Sequence, residues 1–519
     1  MTRPSVLLHR AAAHWWLTFP LLTALGCALS SLFPSLHLLG WVALVPFYVG
    51  LQRCRGYRQS AWFGFITGLL TFGLSTYWMA EFITLFKNYR LVSAVAMASV
   101  YWCYCALIFV VVAIVTHRAR QTRCELWLFP LALALVFAWF PVLFPWQLGN
   151  GQHPFLVAIQ GVDITGVSGL DFIIGLVNVL LAQGFMRKRI RAGWQRRLAY
   201  GLLLGWFGYG AVQLHFWQKP QAANAVLAVG LVQANGPPSL NPPIAPKGYS
   251  LSYPPEMALT EQLAQQGAAL VVWPEYDRQY YNLPAVKLAY QRQVAALATP
   301  MMLQSVEKTP GPDGYQKFST ITLLDAQGQE TGKYQKVQRI AVAEYLPGLD
   351  QLPGVKAVVL NYLGDFFGDY QPGPGPARFQ LGPLALTPLI CYEVILPRFV
   401  ARSVAASGGN IITVQSNNSW FGDSRVPYQH MGASVLRSVE NRRPLIHAMN
   451  NGLGGVVAAS GQILLQTSAK EIAGYLVEVP YSANPPTTIY QRWPWLTLGG
   501  FSIVSIVLLF RRRSVAISV

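Results

Sequence analysis

The chain has 519 residues, 53% of them hydrophobic and 12% charged, with a formal net charge of +18 and a mean hydropathy of +0.34. Soluble domains carry roughly 25% charged residues, so this composition excludes a disordered chain and a simple soluble enzyme. The surplus of Lys and Arg would suit a nucleic-acid ligand, but where those residues lie argues for a membrane.

Apolar runs at Trp15–Leu32, Leu38–Leu51, Ala61–Trp78, Leu91–Val115, Leu126–Leu143, Gly166–Phe185 and Leu198–His215 predict membrane spans, and an eighth lies at Leu496–Phe510. Most approach the ~20 residues that cross a bilayer. Basic residues cluster at alternate ends of these runs: Arg3 and Arg10, then Arg53, Arg55 and Arg58, then Arg118, Arg120 and Arg123. Further clusters are the run from Arg187 to Arg197 and the triplet Arg511, Arg512 and Arg513. The other short loops hold only Lys87 and Arg90. The positive-inside rule then predicts eight spans with both termini cytoplasmic. The segment Trp217–Arg492 falls on the opposite side and carries 20 basic against 17 acidic residues, a net of only +3. The charge excess is therefore a topology signal and no nucleic-acid footprint. The first span has no small-residue cleavage site and reads as retained. Glu81, Asp163 and Asp171 are read at loops or span ends, which argues against an ion-driven transporter. The predicted domains are residues 1–217 (seven spans), 218–490 (an outward domain) and 491–519 (a terminal span with a basic tail).

The outward domain reads as mixed α/β. Strands are expected at Ala225–Gln233, Ala268–Trp273, Met301–Ser305, Ala385–Leu389, Asn410–Gln415, Leu445–Met449 and Gly454–Leu465, the last interrupted by the turn Ser460-Gly461, with a hairpin over Phe318–Lys336. Helices are expected at Pro255–Gln266, Leu288–Ala298 and Gln429–Asn441. The Pro- and Gly-rich stretches Pro237–Pro255 and Leu346–Gly375 are expected to be mobile loops over a site.

Three segments put reactive side chains just beyond apolar strands: Trp273-Pro274-Glu275, Tyr334-Gln335-Lys336 with Glu344 after it, and Ile390-Cys391-Tyr392-Glu393. Taken singly, each has a plain structural reading: a surface Glu, a charged strand end, a buried core thiol. His430 and His447 read as isolated core histidines, and Cys103 and Cys105 as packing residues. Cys391 is the one cysteine of the outward domain.

Together, a Glu, a Lys and a Cys in this order resemble the nitrilase (carbon–nitrogen hydrolase) superfamily. With a polytopic membrane half and one terminal span, the chain resembles the apolipoprotein N-acyltransferase family. Asn417-Asn418-Ser419-Trp420-Phe421-Gly422 is similar to that family's N-D-x-W-F-G segment, with Asn418 in place of the Asp. Gln429-His430, Glu440-Asn441-Arg442-Arg443-Pro444 and Asn450-Asn451-Gly452 match its later pattern. From Lys336 to Glu344 the chain reads KVQRIAVAE, where the family shows K-x-H-L-V-P-F-G-E.

The resemblance implies an α-β-β-α sandwich on the periplasmic face of a bacterial inner membrane, in a monomer that needs no cofactor or metal. It implies a ping-pong transfer of an acyl chain from a phospholipid, expected to be phosphatidylethanolamine, to the α-amino group of a diacylglyceryl-cysteine lipoprotein. Residue by residue, Cys391 is then the nucleophile, Glu275 the general base and Lys336 the cation facing the oxyanion. Glu344 supports Lys336, while Tyr392, Glu393, Trp420 and Asn418 shape the site. Physical chemistry asks for the same set: thiolate attacks an ester better than thiol, a desolvated Glu titrates close enough to neutrality to take its proton, and a buried cation stabilises the tetrahedral oxyanion. A Glu–Lys–Cys set also suits amide hydrolysis, which keeps open a membrane-tethered nitrilase-type amidohydrolase. A non-catalytic envelope protein is the third reading.

Overall fold

The computed structural model describes residues 15–510, apart from 88, 121–123, 187–192, 220–222, 239–244, 277, 312–313 and most of 349–368. The chain divides into two compact units, Met1–Leu214 with Trp493–Val519, and His215–Arg492.

The first unit is helical among its described residues. Four helical segments are long and apolar enough to cross a membrane: Trp15–Leu32, Pro34–Arg53, Leu91–Ala119 and Val167–Phe185. Tyr57–Ser75 and Trp78–Leu85, bent by 55° at their junction, make a fifth if taken as one span, while Glu125–Trp139 and Leu496–Phe510 are shorter. The expected span Leu38–Leu51 is not one α-helix. A 3-10 helix, Pro34–Trp41, leads into an α-helix, Val45–Arg53, with Pro46 in its first turn, where a missing N–H costs nothing. The expected Leu126–Leu143 ends early, at Trp139, because Phe140 precedes Pro141 and so leaves the helical region. The three acids are also better embedded than the sequence suggests. Glu81 lies within Trp78–Lys87. Asp171 lies inside Val167–Phe185, fully buried, and accepts the Gly149 N–H at 2.8 Å. Asp163 lies in Val162–Thr165 and accepts the Tyr209 hydroxyl at 3.0 Å. A local donor is what lets an acidic side chain sit in such a place.

The second unit holds two six-stranded sheets. The first has the order β12-β1-β2-β3-β4-β5, from Ala225–Gln233 (β1), Leu270–Val272 (β2), Met301–Gly311 (β3), Gly314–Leu324 (β4), Glu330–Gln335 (β5) and Ala473–Tyr481 (β12). The second has the order β11-β10-β9-β8-β7-β6, from Phe379–Leu381 (β6), Leu384–Ile390 (β7), Ile411–Ser416 (β8), Leu445–Met449 (β9), Gly455–Val457 (β10) and Ile463–Gln466 (β11). In each, a parallel centre (β1-β2-β3 and β7-β8-β9) is flanked by antiparallel strands.

Side-chain alternation explains the layering. Leu270 and Val272 of β2 and Met302 of β3 point into a core shared with Leu386, Ile390, Ile411 and Ile446 of the second sheet. Val271, Met301 and Leu303 point the other way, onto Met257, Val286, Tyr290 and Val294 of helices Pro255–Gln265 and Pro284–Leu297. Helices Pro397–Ser407 and Val426–Asn441 cover the second sheet. The layers are therefore helix, sheet, sheet, helix. Strands β2, β7, β8 and β9 are buried on both faces and read as largely apolar runs.

Sequence reading missed β6, β12, helix Pro397–Ser407 and the long β3–β4 hairpin. β12 alternates and pairs antiparallel with the full length of β1 from the far end of the domain. Part of each expected mobile loop lies outside the described residues. Within the first, the Tyr253 hydroxyl donates to Glu261 at 2.8 Å and Tyr290 donates to the Leu251 carbonyl at 3.2 Å, so residues 251–253 are fastened to the neighbouring helices.

Candidate active site

Glu275, Lys336 and Cys391 each follow the end of a strand. At β2 the last ladder bond is Trp273 N–H to the Met302 carbonyl, 2.9 Å. Pro274 then has no N–H to continue the ladder and the chain turns out. The turn is clamped on both sides of Glu275. Gln415 on β8 donates to the Trp273 carbonyl at 2.5 Å, and Gln304 on β3 accepts the Tyr276 N–H at 3.0 Å. Buried Arg278 adds a bond to the Pro274 carbonyl at 3.0 Å while paired with Glu256 at 2.8 Å.

Lys336 leaves β5 with its N–H on the Ser319 carbonyl, 2.9 Å, and its carbonyl on Gly373 N–H, 2.8 Å. Its side chain is 2% exposed and its Nζ lies 2.6 Å from Glu344 Oε1. The other Glu344 oxygen accepts the Ile340 N–H at 2.8 Å, so one carboxylate both holds the ammonium and closes the loop between them.

Cys391 opens the 3-10 turn Cys391–Ile395 with a φ of 49°. Glu393, fully buried, anchors that turn. Its carboxylate accepts N–H bonds from Ile390, Val337 and Gln338 at 2.8, 2.8 and 2.9 Å and the Tyr334 hydroxyl at 2.8 Å. Glu393 thus ties the strand end that carries Cys391 to the strand end that carries Lys336.

The three reactive groups share one environment. The Glu275 carboxylate shares its surroundings with Lys336, Glu344, Cys391 and the Asn417 backbone, all of which act on its ionisation. Burial raises its pKa from 4.5 to about 7, against the pull of Lys336. Burial, then the Glu275 charge, pushes the Cys391 thiol up as well. Burial alone would lower Lys336, but Glu344 and Glu275 outweigh it, and the ammonium is held above its ordinary range. The resting site is therefore a thiol, a carboxylate poised to titrate near neutrality and a permanent cation. Glu275 and Cys391 keep partial exposure.

Of the supporting residues, Tyr392 lies within reach of Tyr345, Lys336 and Glu344, and burial, then Tyr345, raises it to about 12. Trp420 sits half-buried in the turn Ser419–Phe421. Asn418 is 1% exposed, with Oδ1 3.3 Å from His430 Nδ1. The histidines are not isolated from each other. The His430 and His447 rings meet edge to face at 4.8 Å, and His430 Nε2 lies 3.3 Å from the Cys391 carbonyl. Sequence reasoning missed Gln415 and Gln304 here, and it placed Asn417 and Asn450 in motifs without the bonds they make. Asn450 donates to Asn417 Oδ1 at 3.0 Å, and its own Oδ1 accepts the Gly236 N–H at 3.0 Å. No spacing signals such bonds between distant segments.

A family model described as the apolipoprotein N-acyltransferase N-terminal domain matches residues 11–180, and one described as carbon-nitrogen hydrolase matches residues 210–479. An apolipoprotein N-acyltransferase of Geobacter metallireducens is 30% identical over 518 residues, covering 94% of each chain. The chain belongs to the apolipoprotein N-acyltransferase family. Another apolipoprotein N-acyltransferase, from Pseudomonas syringae pv. tomato, is 29% identical over 87% of this chain and 88% of its own. An amidase from Nesterenkonia sp. of known structure covers 53% of this chain and 97% of its own at 21% identity, with a TM-score of 0.37. In this member of the apolipoprotein N-acyltransferase family, the run after Lys336 lacks the His, Pro, Phe and Gly of the expected pattern. The 2.6 Å Lys336–Glu344 contact is nonetheless made, because it depends on the eight-residue separation and on the Glu344–Ile340 bond.

Proposed function

We propose that the chain is a phospholipid-dependent apolipoprotein N-acyltransferase with Glu275, Lys336 and Cys391 as its reacting set. The observation that carries the roles is the one desolvated setting in which Glu275, Cys391 and Lys336 act on one another's ionisation, with the Lys336 ammonium fixed 2.6 Å from Glu344. Family membership supports the acyl donor and acceptor classes, a lipid and a lipoprotein.

In the first half-reaction Glu275 takes the thiol proton as Cys391 Sγ attacks the ester carbonyl. Lys336 faces the oxyanion, a placement commonly worth a few kcal/mol. The C–O bond to the glycerol oxygen breaks, Glu275 returns its proton to that oxygen, and a lysophospholipid leaves. In the second, the α-amine of the acceptor attacks the thioester. Glu275 takes an amine proton, the C–S bond breaks, and the proton passes to sulfur, leaving an amide and the free thiol. Glu344 keeps the ammonium on station through both.

The same proposal includes phosphatidylethanolamine as donor, a monomer, and the domain division at 1–217, 218–490 and 491–519. It also includes a periplasmic catalytic domain on an inner membrane, with cytoplasmic termini. The alternating basic clusters support the orientation. Flanking spans confine the domain to the surface where both substrates are anchored.

The test is intact-mass analysis of the purified protein after incubation with phosphatidylethanolamine, beside Cys391→Ser and with hydroxylamine treatment. A hydroxylamine-labile acyl adduct in the wild type alone is the expected result. An unmodified protein whose Cys391 still alkylates, or release of free fatty acid with no amine acceptor, defeats the transferase reading.

A further inference from the structure

His430 sits on helix Val426–Asn441, outside the reacting set, yet it is 7% exposed and touches the main chain of the nucleophile. Cys391 holds a φ of 49°, a left-handed conformation that a non-glycine residue adopts only at a steric cost. The fold must hold it there. On the N-terminal side Glu393 secures the Ile390 N–H at 2.8 Å. On the C-terminal side the Cys391 carbonyl faces His430 Nε2 at 3.3 Å.

The donors can be counted. A carbonyl only accepts, so His430 must carry its proton on Nε2 to bond it. Nδ1 faces the Asn418 side-chain amide at 3.3 Å. Were the amide oxygen there, Nδ1 would need a proton too and the ring would be a cation. Burial pushes His430 down to about 4, and the Lys336 charge adds to that, so the ring is neutral with one N–H. Asn418 Nδ2 has no partner when Oδ1 faces the ring. Turning the amide brings Nδ2–H onto the Nδ1 lone pair and leaves a carbonyl oxygen unpaired in place of an N–H, the less costly orphan. The chain Asn418 Nδ2–H to His430 Nδ1, His430 Nε2–H to Cys391 O then has each donor on an acceptor.

We propose that His430 is a positioning residue for the nucleophile: its Nε2–H holds the Cys391 carbonyl, and so the left-handed backbone that aims Sγ, while Asn418 selects that tautomer by donating to Nδ1. An amide can do this with a neutral ring. An aspartate at 418 could only accept, and would need the imidazolium to keep both bonds. The inference rests on Cys391 being the nucleophile.

The test follows Cys391 acylation in the full-length enzyme by quenched intact mass in detergent–phosphatidylethanolamine micelles. If the wild type takes no adduct, the nucleophile reading has failed and this inference falls with it. Given an adduct, His430→Phe keeps a buried ring without a donor and lowers the acylation rate roughly 10- to 100-fold. The half-saturating phospholipid concentration stays within about twofold, and His430→Gln, which can donate, recovers most of the loss. Equal rates in wild type and His430→Phe, or a Gln variant no faster than the Phe variant, overturn the role. Asn418→Asp supplies a readout that a mere packing role does not move. Its carboxylate raises the His430 pKa, and the imidazolium keeps Nε2–H on Cys391. As pH rises through the new pKa, the remaining proton goes to Nδ1, the Nε2 lone pair faces the carbonyl, and acylation falls. Among the described residues, the other titratable groups whose charge reaches His430 are Lys336 and His447, while Cys391 presents its carbonyl. The falling limb is assigned to His430 if it vanishes in Asn418→Asp with His430→Gln. A profile identical to wild type in Asn418→Asp, or a limb that survives the second change, overturns the tautomer argument.

Discussion

Glu275 allows the sharpest test of the chemistry. Burial lifts its carboxyl from 4.5 to about 7 while the Cys391 thiol is pushed up and stays protonated. The active form is then ionised Glu275 beside a neutral thiol, and its fraction sets the rate. With a pKa of about 7, that fraction is roughly one eleventh at about pH 6 and ten elevenths at about pH 8, so acylation rises about tenfold between them and levels off. The assay is single-turnover acylation by phosphatidylethanolamine, quenched in acid and read by intact mass. Glu275→Gln removes the rising limb and slows the step roughly 10²- to 10⁴-fold, the usual worth of a positioned base. A wild-type rate that is flat through neutrality, or that climbs only with a midpoint well above 8, would refute the argument, because the thiol's own ionisation would then be limiting.

The same shift has a stability consequence. The folded state binds the Glu275 proton more tightly than the unfolded chain, so its contribution is fully present below about pH 4.5 and is lost as pH rises through about 7. The rise corresponds to about 3 kcal/mol at most, and Glu275→Gln, which does not titrate, gains thermal stability relative to wild type between about pH 5 and 8. Glu344→Gln leaves a buried ammonium without its counter-charge; acylation falls roughly 10- to 100-fold, and a Glu344→Asp variant, one methylene too short, rescues little. Glu393→Gln turns an acceptor for four donors into a group with its own N–H against them; it destabilises the domain by about 2–4 kcal/mol in denaturant titration, with no change in slope. An added Cβ at Gly236 would lie 2.5 Å from the buried Tyr276 ring, so Gly236→Ala lowers stability by about 1–3 kcal/mol and slows acylation through the neighbouring Glu275.

Much of this protein is set by local sequence. Apolar runs and alternating basic clusters mark the helical unit because a span needs only its own length and hydropathy. The parallel strands are legible as largely apolar runs because most of their residues are buried on both faces, and Pro274 and the polar turn after Ile390 mark where β2 and β7 end. The segments that carry Glu275, Lys336 and Cys391 are therefore visible one by one. What local sequence does not set is which of them meet. β12 is an ordinary alternating segment until it pairs with β1, and Asp171 reads as a span end until the Gly149 N–H reaches it inside a helix. Gln415 holds the Glu275 turn across 142 residues of chain, and Glu393 binds Lys336's strand end across 56. Those bonds exist only once two sheets stack, which buries their partners away from water. The same burial raises Glu275 toward neutrality, keeps Lys336 charged beside Glu344 and leaves His430 a neutral donor under Cys391. The tertiary structure decides these properties because desolvation belongs to the packed site and to no residue within it.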